Sequence, residues 1–347
     1  MLTERQISIL KSIIHLYTKY GQPVGSKTLI QESKIAASSA TIRNEMVHLE
    51  EMGFLKKTHS SSGRIPSITG YRYYVDYLVH PHKVDPEDLA SIKQALENPF
   101  KQIDEIVMTS AEVLSHLTSY TAISLGPEIK DSKLTGFRFV PLNERQLMVI
   151  LVTDKGHVES QNFTLPQQMN PYDLEKVVRL FNEELVGKSL IEVFRSLKTD
   201  VPALIHQHIR TAENMIGLFD DLFLKAATDR IHIEGRMNML DYSNDLNIEQ
   251  FKSIYSLMDG KHDLPMLLGS KQEGITVQIG NELDNELFEQ FSLISAAYEV
   301  KNLGTGVIAL LGPTSMPYSK MISLVGVFQK ELSKKLEAYY HDIDDNK

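Results

Sequence analysis

The chain has 347 residues, 42% of them hydrophobic, with 36 Lys and Arg against 45 Asp and Glu and a formal charge of −9 at pH 7. That length asks for two or three domains with ample apolar material for their cores, and no run approaches the roughly 20 apolar residues that cross a bilayer, so no membrane association is expected. Cysteine is absent, which excludes disulfides, thiolate metal sites and thiol chemistry, and the start shows no basic-then-apolar signal pattern, so the expected location is the cytoplasm.

Residues 2–20 carry apolar side chains at Ile7, Leu10, Ile13, Ile14 and Tyr17, the stripe of an amphipathic helix, with Thr3 and Gln6 spaced as a capping box. Gly21 closes that helix and Pro23 prevents its return. A short second helix is expected from Ser26 as N-cap, turning Leu29 and Ile30 inward before the polar turn at Ser33-Lys34. In the third, over 39–52, a step of 100° per residue puts Ile42, Met46 and Leu49 on one face and Ala40, Arg43, Asn44 and Val47 on the other. Three helices with short turns, the third bearing a free face, predict a helix-turn-helix. After Gly53, Phe54-Leu55-Lys56-Lys57-Thr58-His59, a Ser-rich tip with Gly63, and Arg64-Ile65-Pro66 suit two short strands around a turn, a basic wing.

Charge follows the same division. Residues 1–80 hold 10 Lys and Arg against 6 Asp and Glu, a balance of +4, while residues 81–347 hold 26 against 39, or −13. A basic head on an acidic body suits a protein that meets phosphate at one end. Arg43 is suited to guanine or to phosphate, Asn44 to an adenine edge, and the methyls of Ala40, Thr41 and Val47 to thymine. Ser38 and Ser39 at the helix start offer hydroxyls and amides to phosphate, and Lys56, Lys57, His59 and Arg64 are expected on the backbone or in the minor groove. The bland alternatives are that Arg43 only bridges to Glu45 or Glu50, and that Tyr71, Tyr73, Tyr74 and Tyr77 pack the head onto the next helix rather than stack on bases.

The segment 80–86, His-Pro-His-Lys-Val-Asp-Pro, reads as a joint between head and body. Helices are expected near 87–97 and 101–120, then strands at 121–125, 134–142, 147–153 and 158–164, with Asp154-Lys155-Gly156 as a hairpin turn, forming one mixed sheet. From 171 to about 266 the pattern is helical, with a long amphipathic stretch at 201–228, interrupted by a strand at Ile231-His232-Ile233 and a turn at Gly235-Arg236. Strands return at 275–279, 296–301 and 306–311, and a last helix covers about 318–340. Sheet, helices and sheet again is the pattern of a module inserted into one α+β domain. Its apolar faces suit either a subunit interface or its own core.

Catalysis has little support, and no catalytic, metal or cofactor site is expected. Gly304-Thr305-Gly306 and Gly312-Pro313 lack the order of a phosphate loop, His206 and His208 diverge on a helix, and Glu183-Glu184 and Asp220-Asp221 suit charged surfaces.

Several strings resemble the HrcA family of bacterial heat-inducible transcription repressors. These are Gly21-Gln22-Pro23-Val24-Gly25-Ser26, Ala40-Thr41-Ile42-Arg43-Asn44 with Leu49-Glu50, Ser62-Gly63-Arg64-Ile65-Pro66 and Gly70-Tyr71-Arg72-Tyr73-Tyr74-Val75-Asp76. Ile279-Gly280-Asn281-Glu282 and Gly312-Pro313-Thr314, with Met316 and Tyr318, echo it near the C-terminus. Thr58, Ser60 and Ser62 depart from the family's usual wing, and Ser315 stands where an Arg is usual. The resemblance implies a dimer that binds an inverted-repeat operator, double-stranded DNA upstream of chaperone operons, and represses them, kept active by a GroEL-type chaperonin. It implies an α+β multidomain fold. In the fold so implied, a winged helix-turn-helix at 1–80 is expected to precede a GAF-like domain, 81–165 and 273–347, interrupted by an inserted dimerisation domain at 166–272. The alternative is a winged-helix regulator switched by a small effector in a GAF-like pocket; no diagnostic ligand constellation is present, and Arg138, Arg145 and Tyr298 suit either the lining of such a pocket or the plain decoration of strands.

Overall fold

The computed structural model of the protein describes residues 2–33, 35–58, 63–80, 82–100, 103–128, 133–143, 145–154, 158–164, 171–188, 192–193, 196, 231–242, 248–260, 274–283, 285–300 and 304–344. The chain forms two compact units, one of residues 1–125, 232–298 and 307–347, the other of residues 126–231 and 299–306.

The first unit opens with α1 (Glu4–Tyr20), α2 (Ser26–Glu32), α3 (Ser39–Glu51) and the paired strands β1 (Leu55–Lys57) and β2 (Arg64–Pro66). The capping box forms as expected: Gln6 N donates to Thr3 Oγ1 and Thr3 N donates to Gln6 Oε1, while Gly21 ends the helix in the left-handed region at φ 66°. In α2 the expectation needs correction. Gly25 is the N-cap, Ser26 is already helical and makes no cap bond, and Ile30 is 40% exposed while Leu29 is buried. Helical phase places the two residues 100° apart and does not set how wide the packed face is; here that face includes Leu29 and stops short of Ile30.

α4 (Ile68–Tyr73) runs into a single π-helical turn, Tyr74–Leu78, and is followed by α5 (Pro86–Glu97) and α6 (Ile103–Thr118). Strand β3 (Thr121–Glu128) comes next, then β4 (Leu134–Pro141), β5 (Gln146–Thr153), β6 (Val158–Thr164), α7 (Pro171–Leu185) and β7 (Ile231–Glu234). The described chain closes with α8 (Met239–Tyr242), α9 (Ile248–Gly260), β8 (Ile275–Ile279), β9 (Phe291–Val300), β10 (Gly304–Pro313) and α10 (Tyr318–Asp344). The stretch expected as a helix at 201–228 lies outside the described residues.

One sheet over residues 121–164 was the expectation, and the structure divides it. β3 joins a five-stranded sheet of order β7-β3-β10-β9-β8, whereas β4, β5 and β6 make a separate three-stranded sheet. β3 is buried along Thr121 to Pro127 and needs partners at both edges. They come from β7 and β10, far along the chain, and periodicity carries no information about partners. The expected strand at 296–301 begins earlier, because β8 pairs antiparallel with Ser292 to Ala296. β9 and β10 are buried on both faces, so neither shows the polar and apolar alternation that marks a half-exposed strand. β5 and β6 pair antiparallel, Val152 opposite Val158, and the turn expected at Asp154-Lys155-Gly156 lies outside the described residues beyond Asp154.

Candidate nucleic-acid interface

α3 starts at a well-formed cap. Thr41 N donates to Ser38 Oγ at 3.1 Å, and the two hydroxyls of Ser38 and Thr41 lie 2.9 Å apart. Ile42, Met46 and Leu49 are buried against the rest of the head, which leaves Ala40, Arg43, Asn44 and Val47 exposed, with Ser39 and Thr41 half-buried at the edge. α1 supports the helix from behind, where Gln6 Nε2 donates to Glu45 Oε2 at 3.0 Å and Arg5 lies 3.7 Å from the same carboxylate. α2 is tied in by the hydroxyls of Ser26 and Ser39, 3.0 Å apart. The side chains of Ser38 and Ser39 are thus engaged locally, and what the helix itself leaves free for an anion are the amides of its first turn, those of Ser39 and Ala40.

The wing is anchored at both ends. Leu55 is buried opposite Pro66, while Lys56 and Lys57 stand exposed opposite Ile65 and Arg64. Val24 and Arg64 exchange two backbone hydrogen bonds of 2.9 Å, so the chain between α1 and α2 adds a third edge to the wing. Gly63 permits this approach: a Cβ there would come within 2.9 Å of Pro23. The two strings around Pro23 and Gly63 are therefore one contact. His59 and the tip, 59–62, lie outside the described residues.

Arg64 does not stand free at the surface. Its Nε and Nη2 donate to Glu50 Oε2 at 2.8 and 2.7 Å, with the Arg64 side chain only 12% exposed, which clamps the wing to the end of α3. Both carboxylates considered as partners for Arg43 are taken, Glu50 by Arg64 and Glu45 by Gln6 and Arg5, and Arg43 makes no ion pair among the described residues. Between helix and wing lies a cleft of about 110 Å³ lined by Ser26, Arg43, Met46, Lys57 and Arg64. With Arg64 paired to Glu50, the cleft brings Arg43 and Lys57 together beside the exposed face of α3.

Two family models match this chain: "Winged helix-turn-helix transcription repressor, HrcA DNA-binding" over residues 1–75 and "HrcA protein C terminal domain" over residues 104–322. The heat-inducible transcription repressor HrcA of Tetragenococcus halophilus is 50% identical over 344 residues, 99% of each chain. That of Enterococcus faecalis is 51% identical over 343 residues, 98% of this chain and 99% of the other. The chain belongs to the HrcA family. It is a DNA-binding winged-helix transcription repressor of the heat-inducible class, and its relatives bear the name of a repressor rather than of an enzyme. A crystal structure of a hypothetical protein, 24% identical with a TM-score of 0.58, covers 97% of this chain and 98% of its own, and shares the fold. Among the described residues no helix is long and apolar enough to cross a membrane.

Sequence reasoning missed the part played by Glu50, which it weighed only as a partner for Arg43, and it missed the Val24 bridge. A lone Val between Pro and Gly carries no strand signal, so nothing in the sequence pointed there. Tyr298, a candidate to line an effector pocket, is instead a core residue of the sheet, 1% exposed, its hydroxyl donating to the Leu125 carbonyl.

Proposed function

We propose that this HrcA family member acts in the cytoplasm as a homodimer on an inverted-repeat operator upstream of chaperone operons, with a GroEL-type chaperonin maintaining its active form. The observation that carries the DNA-facing part is the pairing of the exposed Ala40, Arg43, Asn44 and Val47 face with the cationic cleft beside it. In this reading Arg43 and Asn44 read base edges, Ala40, Thr41 and Val47 pack on thymine methyls, and the first-turn amides of Ser39 and Ala40, with Ser38, meet phosphate. Lys56, Lys57 and His59 bind backbone, and Arg64 serves chiefly to hold the wing in place.

The body is read as a GAF-like domain with an inserted dimerisation domain. The support for an insertion is topological: the chain leaves the five-stranded sheet after β3 and re-enters it at β7, and the chain between falls in the second compact unit together with β4, β5 and β6, which moves the start of the inserted segment from 166 to about 126. A dimer matches a palindromic site whose half-sites are about one helical turn, or a multiple, apart. The test is binding to an inverted-repeat chaperone operator and to scrambled DNA over a salt series, with and without chaperonin. Preference for the repeat that chaperonin strengthens is expected. Equal loss from Arg43→Ala, Asn44→Ala and Lys57→Ala on specific and random DNA would show that α3 is not the reader.

A further inference from the structure

The string Gly70-Tyr71-Arg72-Tyr73-Tyr74-Val75-Asp76 lies outside the DNA-facing groove, and Arg72 within it reaches into the body. Arg72 Nε donates to Glu282 Oε1 at 2.9 Å, Nη2 donates to Glu282 Oε2 and to the Val277 carbonyl at 2.7 Å, and Nη1 donates to Asp76 at 3.1 Å. Glu282 is itself held, because its Oε2 accepts from Ile279 N at 2.8 Å across a corner made by Gly280 at φ 57°. That corner is tight: a Cβ on Gly280 would lie 2.7 Å from Ile68 of α4. Beside it the rings of Tyr71 and Tyr318 sit 5.7 Å apart, both buried. The joint after the head is also strapped down, with His82 N donating to Ser323 Oγ at 2.9 Å and Ser319 Oγ donating to the His80 carbonyl at 2.6 Å.

Ring contacts are tolerant of rotation, whereas a planar guanidinium bonded at several donors is not. Arg72 is therefore the directional element of the contact between head and body. We propose that Arg72 and Glu282 are positioning residues that set the angle of the DNA-reading head on the body, so that selectivity for half-site spacing depends on a pair that touches no DNA. The operator half of this proposal rests on the dimeric, inverted-repeat reading above.

The experiment uses the full chain, whose lack of cysteine allows spin labels at Glu4→Cys and Lys334→Cys, diluted with unlabelled protein so that only distances within one chain are read. Arg72→Met, Arg72→Lys and Glu282→Gln are compared with the parent for label distance, half-site affinity, and affinity for inverted repeats whose spacing is altered by about five base pairs, half a turn. Arg72→Met is expected to broaden the distance distribution and to reduce spacing discrimination about tenfold, with half-site affinity kept within about twofold. Glu282→Gln, which retains an acceptor for Ile279 N, and Arg72→Lys should fall between. An unchanged distance distribution in both Arg72→Met and Glu282→Gln overturns the proposal, as does a broadened one with spacing discrimination intact. If the parent itself ignores spacing, the inverted-repeat reading fails and the operator half falls with it. The distances then decide whether the pair holds the head.

Discussion

Removing Glu50 separates two tasks that Arg64 is able to perform. The guanidinium lies 2.7 to 2.8 Å from Glu50 Oε2, with Arg64 12% and Glu50 31% exposed. A hydrogen bond to a charged group contributes ~1.5–3 kcal/mol when sealed from water, and the partial exposure of Glu50 lowers this to about 1–2 kcal/mol. Glu50→Ala should lower the thermal stability of the head by that amount and weaken operator binding by roughly 5–30-fold, the same energy if wing placement limits binding. Because a clamp acts as a unit, Arg64→Ala should lose the same affinity and the double variant no more than either alone. The salt series distinguishes clamp from contact. Both variants are expected to keep the parent's slope of affinity against salt, whereas Lys57→Ala should flatten it by about one phosphate's worth. Additive losses, or a slope reduced by about one in Arg64→Ala alone, would refute the clamp as the main task of Arg64.

Ser38→Ala removes the oxygen that accepts from Thr41 N and should cost about 1 kcal/mol, read by circular-dichroism melting. Gly63→Ala places a methyl 2.9 Å from Pro23 and should destabilise the wing by ~1–3 kcal/mol, seen as faster hydrogen exchange at the Val24 and Arg64 amides. The Tyr71 hydroxyl is buried and has no hydrogen-bond partner among the described residues, so Tyr71→Phe should leave the melting temperature unchanged or raise it, and a large fall would show a bond that the structure does not contain. Burial pushes the hydroxyls of both Tyr71 and Tyr318 above the usual tyrosine value. Folding therefore favours their neutral forms, a contribution fully present below about pH 10 and lost as pH rises from there towards the folded values. Melting temperature should decline above that pH, and less steeply in a Tyr71→Phe, Tyr318→Phe double variant.

The head was legible because its signals are local. A capping box at Thr3 and Gln6, a left-handed Gly21, the inward phase of Ile42, Met46 and Leu49, and the exposed phase of Arg43 and Asn44 all lie within a few residues of what they determine. Ile30 shows where local reading stops: adjacent apolar residues are both buried at Ile13 and Ile14, whereas of Leu29 and Ile30 only the first is, and what packs against the helix decides between the two outcomes. The body was less legible for a different reason. Continuous apolar runs such as β9 and β10 announce burial but not their neighbours, and β3 finds its partners across a long intervening segment.

The sequence by itself determined that a basic winged helix-turn-helix heads an acidic α+β chain, and which face of its third helix is free, because helical phase, capping and charge are properties of neighbouring residues. Only the tertiary structure decided which cation pairs with which carboxylate. Glu50 was within reach of Arg43 by helical spacing, yet the hairpin brings Arg64 to it, and Glu282 meets Arg72 from 210 residues away. Ion pairing depends on distance in space, which chain order does not encode, so the clamp of the wing and the hold of the head on the body came into view only with the fold.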